Sequence, residues 1–178
     1  MPEPPRSILG ADDIARALRR MAGEIAERTK GAGEVALIGI RRGGVPLASR
    51  LRALLAEVES LEVPIGALDI TLYRDDAATA LPSPRIGRTE IPFPVEKRTV
   101  VLVDDVLFTG RTIRAAIDAV LDFGRPRAIQ LAVLIDRGHR ELPIHADYVG
   151  RTVATRPDEQ VDVLLDRGPG LADEVRVR

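Results

Sequence analysis

Residues 100–112 read Val100-Val101-Leu102-Val103-Asp104-Asp105-Val106-Leu107-Phe108-Thr109-Gly110-Arg111-Thr112, and this stretch decides the fold. The apolar run that opens it, with Thr99 before it, reads as a strand over 99–103 buried on both faces, as in a parallel sheet. A polar loop is expected over 104–110 and a helix over 111–123, with Gly124 as its C-terminal cap. Two adjacent carboxylates, Asp104 and Asp105, therefore leave a strand and enter a loop that opens a helix. Backbone N–H groups and the hydroxyls of Thr109 and Thr112 near the helix N-terminus make a cradle for a phosphate, with Gly110 allowing close backbone approach. The acid pair can accept hydrogen bonds from vicinal sugar hydroxyls, and its charge favours cationic character on the ring.

Upstream the same unit appears once more. Residues 12–30 place Ile14, Leu18, Met21 and Ile25 on one helical face, and Gly31-Ala32-Gly33 stops the helix. The apolar run over 35–40 reads as a buried strand, followed by Arg41-Arg42-Gly43-Gly44 and a helix over 46–59. Arginine forks between strand and helix suit a diphosphate, and the glycines let the backbone approach it. Residues 63–73 read as another strand. Residues 74–97, punctuated by Pro82, Pro84, Pro92 and Pro94, read as a long mobile loop or loose hairpin whose Arg85 and Arg88 can reach an anion.

Downstream, a buried strand over 129–135 leads into the polar loop Asp136-Arg137-Gly138-His139-Arg140-Glu141-Leu142-Pro143. Shorter strands are expected over 148–153, over 161–165 and near the C-terminus. Strands alternating with helices imply an α/β fold, a parallel sheet covered on both faces, with ligand at the carboxyl ends of the strands. All three charged loops follow such strands.

The 178 residues fit a single domain over 1–178. Hydrophobic residues are 45% and charged residues 30%, the composition of a globular chain. A formal net charge of −1 gives no whole-molecule attraction to polyanions, so nucleic-acid binding needs a locally basic face. Arg137, His139, Arg140, His145 and Arg151 supply one, and aromatic residues at only 3% leave little for base stacking. The absence of cysteine excludes disulfides, thiolate nucleophiles and Cys-ligated zinc. With neither a leader-like N-terminus nor a membrane-length apolar run, a cytoplasmic location without membrane or DNA partners is expected. The two histidines have no metal-like partner spacing, and no protein metal site is expected.

An apolar strand, two acids, a few residues and Thr-Gly-Arg-Thr resemble the phosphoribosyl pyrophosphate signature of the type I phosphoribosyltransferases. Leu68-Asp69-Ile70-Thr71-Leu72-Tyr73-Arg74-Asp75-Asp76 and the segment from Gln130 through Arg137-Gly138-His139-Arg140-Glu141-Leu142-Pro143-Ile144 further resemble the PyrR family, bifunctional pyrimidine-operon regulators and uracil phosphoribosyltransferases. The resemblance runs from about Ile8 to beyond Val163. It implies a type I phosphoribosyltransferase fold, a central parallel sheet flanked by helices with a small hood, and conversion of uracil and phosphoribosyl pyrophosphate (PRPP) to UMP and diphosphate, with Mg²⁺ carried on PRPP. Asp104, Asp105, Arg41 and Arg74 would be catalytic. Substrate contacts would come from Arg41, Arg42, Gly43, Tyr73, Asp104, Asp105, Leu107, Phe108, Thr109, Gly110, Arg111, Thr112, Asp136 and Arg137, Tyr73 and Arg74 belonging to the closing loop and residues 136–138 reading the uracil edge by backbone. Purine-using relatives carry an acid at the position of Phe108, so the acceptor of the base's proton is unassigned.

The same resemblance implies binding to a stem-loop in pyrimidine-operon mRNA when UMP or UTP is bound, giving transcription attenuation or translational repression. The RNA contacts would map to Arg28, His139, Arg140, His145 and Arg151, with His145 and Gly23 standing where Arg and His are expected. A homo-oligomer is implied as well. The competing reading is a salvage phosphoribosyltransferase for uracil or another base without RNA binding.

Overall fold

The computed structural model describes residues 4–30, 34–73 and 88–178. In chain order the elements are β1 (Arg6–Gly10), α1 (Ala11–Thr29), β2 (Val35–Ile40), α2 (Gly44–Glu59), β3 (Ile65–Leu68), a 3₁₀ turn (Thr71–Tyr73), β4 (Thr99–Leu107), α3 (Arg111–Leu121), β5 (Ala128–Asp136), β6 (Tyr148–Thr152), β7 (Val161–Leu164) and β8 (Glu174–Val177). Among the described residues no helix is long and apolar enough to cross a membrane.

Five strands form a parallel sheet in the order β3-β2-β4-β5-β6. Because strand side chains alternate, Leu37, Val101 and Val103 pack against α1 and α2 on one face while Ile38, Val100 and Leu102 pack against α3 on the other. Ile14, Leu18, Met21 and Ile25 are buried, as the helical periodicity requires. The crossover through α2 carries the chain from β2 outward to β3, and the one through α3 carries it from β4 in the opposite direction to β5. The sheet's switch point therefore lies between β2 and β4, where a doubly wound sheet opens a crevice. A separate antiparallel sheet, β1-β8-β7, supplies the small hood.

The larger differences from the sequence reading are three element ends and one added strand. The strand expected over 63–73 ends at Leu68, because the Asp69 carboxylate accepts the Thr71 N–H at 2.8 Å and its hydroxyl at 2.6 Å, closing a turn instead of a ladder. Strand β4 continues through 104–107, which were read as loop, because its pairing with β5 persists to Leu107 opposite Asp136. Helix α3 ends at Leu121 rather than at 123, and Gly124, with φ 144°, follows two residues that close 3₁₀-type bonds. The strand β1 was not read from the sequence at all. Of the loop expected over 74–97, residues 74–87 lie outside the described residues. Its remainder is anchored: Glu90 and Ala67 exchange two backbone hydrogen bonds of 2.8 Å, and Val95 is fully buried.

The connection between β7 and β8 is clamped to α2 by one arginine. Arg50 donates to Asp173 and to Asp166, both at 2.6 Å, and the first of these bonds holds the Asp173 carboxyl below its ordinary pKa. A carboxylate with a depressed folded pKa stabilises the fold above its unfolded value and loses that contribution as pH falls through the folded one. Arg50→Ala is expected to lower unfolding free energy at pH 7 by about 1–2 kcal/mol. The deficit should shrink in denaturant titrations taken from pH 5 down to pH 3, and a pH-independent deficit would contradict the clamp.

Candidate active site

Strand β2 pairs with β4 only as far as Gly39 opposite Val103, whereas β5 accompanies β4 to its end. The edge of β4 at 104–106 is thus open on the β2 side, and the acid pair stands there. Asp104 Oδ1 accepts the Asp105 N–H at 2.9 Å, and Asp105 Oδ1 accepts the Val106 N–H at 2.8 Å. Asp104 is buried, and burial first, then the neighbouring Asp105 charge, pushes its pKa well above the ordinary carboxylate value. A cationic or hydroxyl-bearing ligand would relieve both effects.

The Arg41 loop reaches this pair because it has no side chains in the way. A Cβ on Gly43 would lie 2.1 Å from Asp105 Oδ2, and one on Gly44 would lie 2.0 Å from the Val103 carbonyl oxygen. Together the loop and the strand end enclose a cleft of about 330 Å³ lined by Arg41, Arg42, Gly43, Asp104, Asp105 and Thr112, with Asp69, Ile70 and Thr71 closing one side. Arg41 Nε donates to the Arg88 carbonyl. The structure thus gathers six of the expected residues into one site. It adds Asp69 and Thr71, whose Asp-x-Thr turn after a strand was the signal available in the sequence.

At the N-terminus of α3, Gly110 adopts φ 94°, a left-handed conformation that suits glycine, and Thr109 Oγ1 accepts the Arg111 N–H at 3.3 Å. Thr109 through Thr112 therefore form the turn into the helix, with Gly110 at its N-cap and Thr112 lining the cleft. A second region adjoins it. The Arg137 guanidinium lies 3.9 Å from the Phe108 ring centroid and donates to Thr155 Oγ1 and the Arg156 carbonyl, and burial lowers its pKa. Of the backbone expected to read a base edge, the N–H groups of Arg137 and Gly138 donate to the Leu107 carbonyl and to Asp136 Oδ1. Their carbonyls accept Thr155 Oγ1 at 3.3 Å and Arg140 Nη1 at 3.4 Å, and each keeps a second lone pair.

Other expected residues lie elsewhere. The Leu107 side chain is buried in the α3 core, so only its backbone is near the site. Tyr73 donates its hydroxyl to Asp122 at 2.5 Å, at the far end of α3 from the acid pair. Arg74 lies outside the described residues. Of the basic set, Arg28 pairs with Asp147 at 2.8 Å and lies over the Tyr148 ring, while Arg151 on β6 is exposed near Ile8. His139 and His145 are exposed, the His139 Nε2 lying 2.6 Å from the Thr155 carbonyl oxygen. Arg140 is turned inward, toward Phe108, Asp136 and Ile144.

Comparison with known proteins agrees with this geometry. A model of the phosphoribosyl transferase domain matches residues 6–163. A curated relative from Roseiflexus sp. (strain RS-1), named bifunctional protein PyrR, is 61% identical over 170 residues, covering 96% of this chain and 93% of the relative. Another of that name from Deinococcus radiodurans is 56% identical, again over 170 residues and with the same coverage of 96% and 93%. The solved hypoxanthine phosphoribosyltransferase of Trypanosoma cruzi in complex with the product IMP superposes with a TM-score of 0.74 at 21% identity, covering 97% of this chain and 93% of that one. At that identity it speaks for the fold alone.

The close approach of the Arg41 loop is open to a direct test. Gly44→Ala is expected to lower stability by roughly 2–3 kcal/mol through overpacking against backbone. Gly138→Ala, which meets nothing within 4 Å and has only its positive φ to strain, is expected to lower it by about 1 kcal/mol. Equal losses in thermal or chemical denaturation would contradict the packing described.

Proposed function

This chain belongs to the phosphoribosyl transferase family, within its bifunctional PyrR branch, and on that premise we propose that it converts uracil and PRPP to UMP and diphosphate and binds pyrimidine-gene leader RNA when a uridine nucleotide is bound. The observation that carries the reading is the cleft at the sheet's switch point, where the Asp104-Asp105 pair, the Arg41 loop and the N-terminus of α3 converge.

Each part has a task. The 5′-phosphate of PRPP takes the N–H groups and hydroxyls of residues 109–112, where the helix dipole favours an anion. The ribose hydroxyls donate to Asp105 and Asp104, and the diphosphate lies against Arg41 and Arg42. With PRPP fixed at three points, the ribose C1 is held for attack by uracil placed beside Phe108 and Arg137, with residues 136–138 reading its edge through their carbonyls. The C1–O bond to diphosphate breaks, a bond from C1 to the base nitrogen forms, and the proton of that nitrogen leaves to the departing diphosphate or to water, since Phe108 cannot take it. The carboxylates of Asp104 and Asp105 stabilise the cationic ribose between these events more than they stabilise neutral substrate, which is the condition for lowering the barrier. No covalent nucleophile is required.

The donor set fits Mg²⁺ arriving on PRPP. Paired carboxylates are hard oxygen ligands, and no cluster of three or more acidic, His or Cys side chains among the described residues forms a complete cage. Asp104 and Asp105 would hold the ion together with substrate oxygens, and when bound it supplies neutralisation of the departing diphosphate. Regulation uses the basic residues at the surface: Arg28, His139, His145 and Arg151 offer contacts to RNA, so affinity should fall with salt. A second copy of the chain completes the functional unit by analogy with the branch. The cytoplasm, where PRPP and mRNA meet, is its place of action.

Two measurements on one preparation decide between this reading and a salvage enzyme without a regulatory role. Asp104→Asn combined with Asp105→Asn is expected to reduce uracil-dependent release of diphosphate at least 100-fold while the thermal transition stays cooperative, and unchanged turnover would remove the mechanism. A leader stem-loop should bind more tightly with UMP than without it. Turnover with no specific RNA binding would leave the salvage enzyme.

A further inference from the structure

The loop over 137–144, which follows β5, takes its order from the phosphate-binding turn. Glu141 and Leu142 both donate their N–H groups to the Thr109 carbonyl, at 2.9 and 3.2 Å, and Arg137 donates its own to the Leu107 carbonyl at 3.1 Å. Ile144 fills the space above Gly110, where an added Cβ would meet its side chain at 3.1 Å. The Glu141 carboxylate takes Arg111 Nε at 2.8 Å. Arg140 joins the two segments: its Nη1 donates to the Phe108 carbonyl at 2.9 Å, its Nη2 to Asp136 Oδ2 at 2.6 Å and its Nε to the Ile144 carbonyl at 2.8 Å. The side chain is only 19% exposed. A guanidinium has five N–H groups in a fixed fork, and with three nitrogens committed to protein acceptors little of it faces a nucleic acid.

We infer that Arg140 is a positioning residue that couples the nucleotide site to the RNA-binding loop, rather than a contact to RNA itself. The inference rests on the RNA-binding reading given above. Its physical basis is the planarity of the peptide group, which points the N–H and C=O of one unit in opposite directions. The Phe108 carbonyl shares a peptide plane with the Thr109 N–H, and the Thr109 carbonyl shares one with the Gly110 N–H. In the phosphate cradle those N–H groups serve the nucleotide, while the carbonyls of the same two planes hold Arg140, Glu141 and Leu142. A phosphate that fixes the planes therefore orders loop 137–144, and with it the exposed His139 and His145 on either side of Arg140. RNA arriving at an ordered loop loses less conformational entropy on binding.

Arg140→Gln and Arg140→Lys test this through a ratio. Leader stem-loop affinity is measured with and without UMP, and UMP affinity with and without RNA, because coupling between two binding events must be reciprocal. In the unsubstituted protein UMP should raise RNA affinity by roughly 10-fold or more. In Arg140→Gln that factor should fall to about 2, with affinity in the absence of UMP changed by less than about 3-fold, and Arg140→Lys should fall between. An equal loss with and without UMP would make Arg140 a direct RNA contact and overturn the inference, as would an unchanged ratio. Hydrogen exchange of the amides over 138–145, measured without RNA, separates this outcome from failure of the RNA reading. UMP should slow that exchange in the unsubstituted protein and not in Arg140→Gln, and protection that persists in the variant overturns the coupling even if no RNA binds. Should Arg140→Gln fail to fold, Arg140→Lys carries both measurements.

Discussion

The distance between the exit of β2 and the exit of β4 is set by two missing Cβ atoms. At Gly43 and Gly44 any side chain would overlap the Asp105 carboxylate or the Val103 carbonyl, so a loop bearing Arg41 and Arg42 lies directly against a strand end bearing Asp104 and Asp105. Everything chemical in the cleft follows from that approach. Opposite charges line the same cleft, which suits a substrate that itself carries both hydroxyls and phosphates. Backbone amides of the α3 turn complete a third wall, fixed by the same parallel sheet.

The approach also explains why a costly group persists. A carboxyl with the burial of Asp104 is disfavoured as an anion, and Asp105 beside it makes matters worse. In an empty cleft this is destabilising. Once a positively charged ribose develops between the base and the leaving diphosphate, the same low-dielectric surroundings strengthen its attraction to the pair. The site is thus organised before substrate arrives, and the cost was met when the chain folded.

Much of this was legible in the sequence because it rests on local signals. The apolar runs at 35–40 and 100–103 are strands in the structure, the periodic face of Ile14, Leu18, Met21 and Ile25 is buried, and the carboxyl ends of the strands carry the site. What escaped depends on distant partners. Nothing local to Asp104 and Asp105 tells that β5 continues beside them and keeps them in the strand. Likewise Arg140 looks like one basic residue among several until the carbonyls of Phe108 and Ile144, supplied by other segments, turn it inward. Leu107 and Tyr73 were grouped with the site by the family resemblance, but the strand's alternation buries the side chain of the first and the hydroxyl of the second is bonded to Asp122 at the far end of α3. The hood was expected and two of its strands were read, but β1 and the pairing that sets it beside β8 depend on a partner far along the chain, Glu174–Val177.

That hood has a bearing on how the molecule comes into being. Its order β1-β8-β7 puts Arg6 opposite Val177, so among the described residues the earliest strand in chain order is paired with the latest. At about 5–20 residues per second, β1 waits roughly 10–30 s for β8 to be synthesised, while every strand of the parallel sheet already has its neighbours. Vectorial synthesis therefore favours a nascent chain with a formed nucleotide-binding sheet and an open edge at its N-terminal end. Such an edge is a template for pairing with other chains, and the brevity of β1, five residues including Arg6 and Gly10, limits that hazard during the interval.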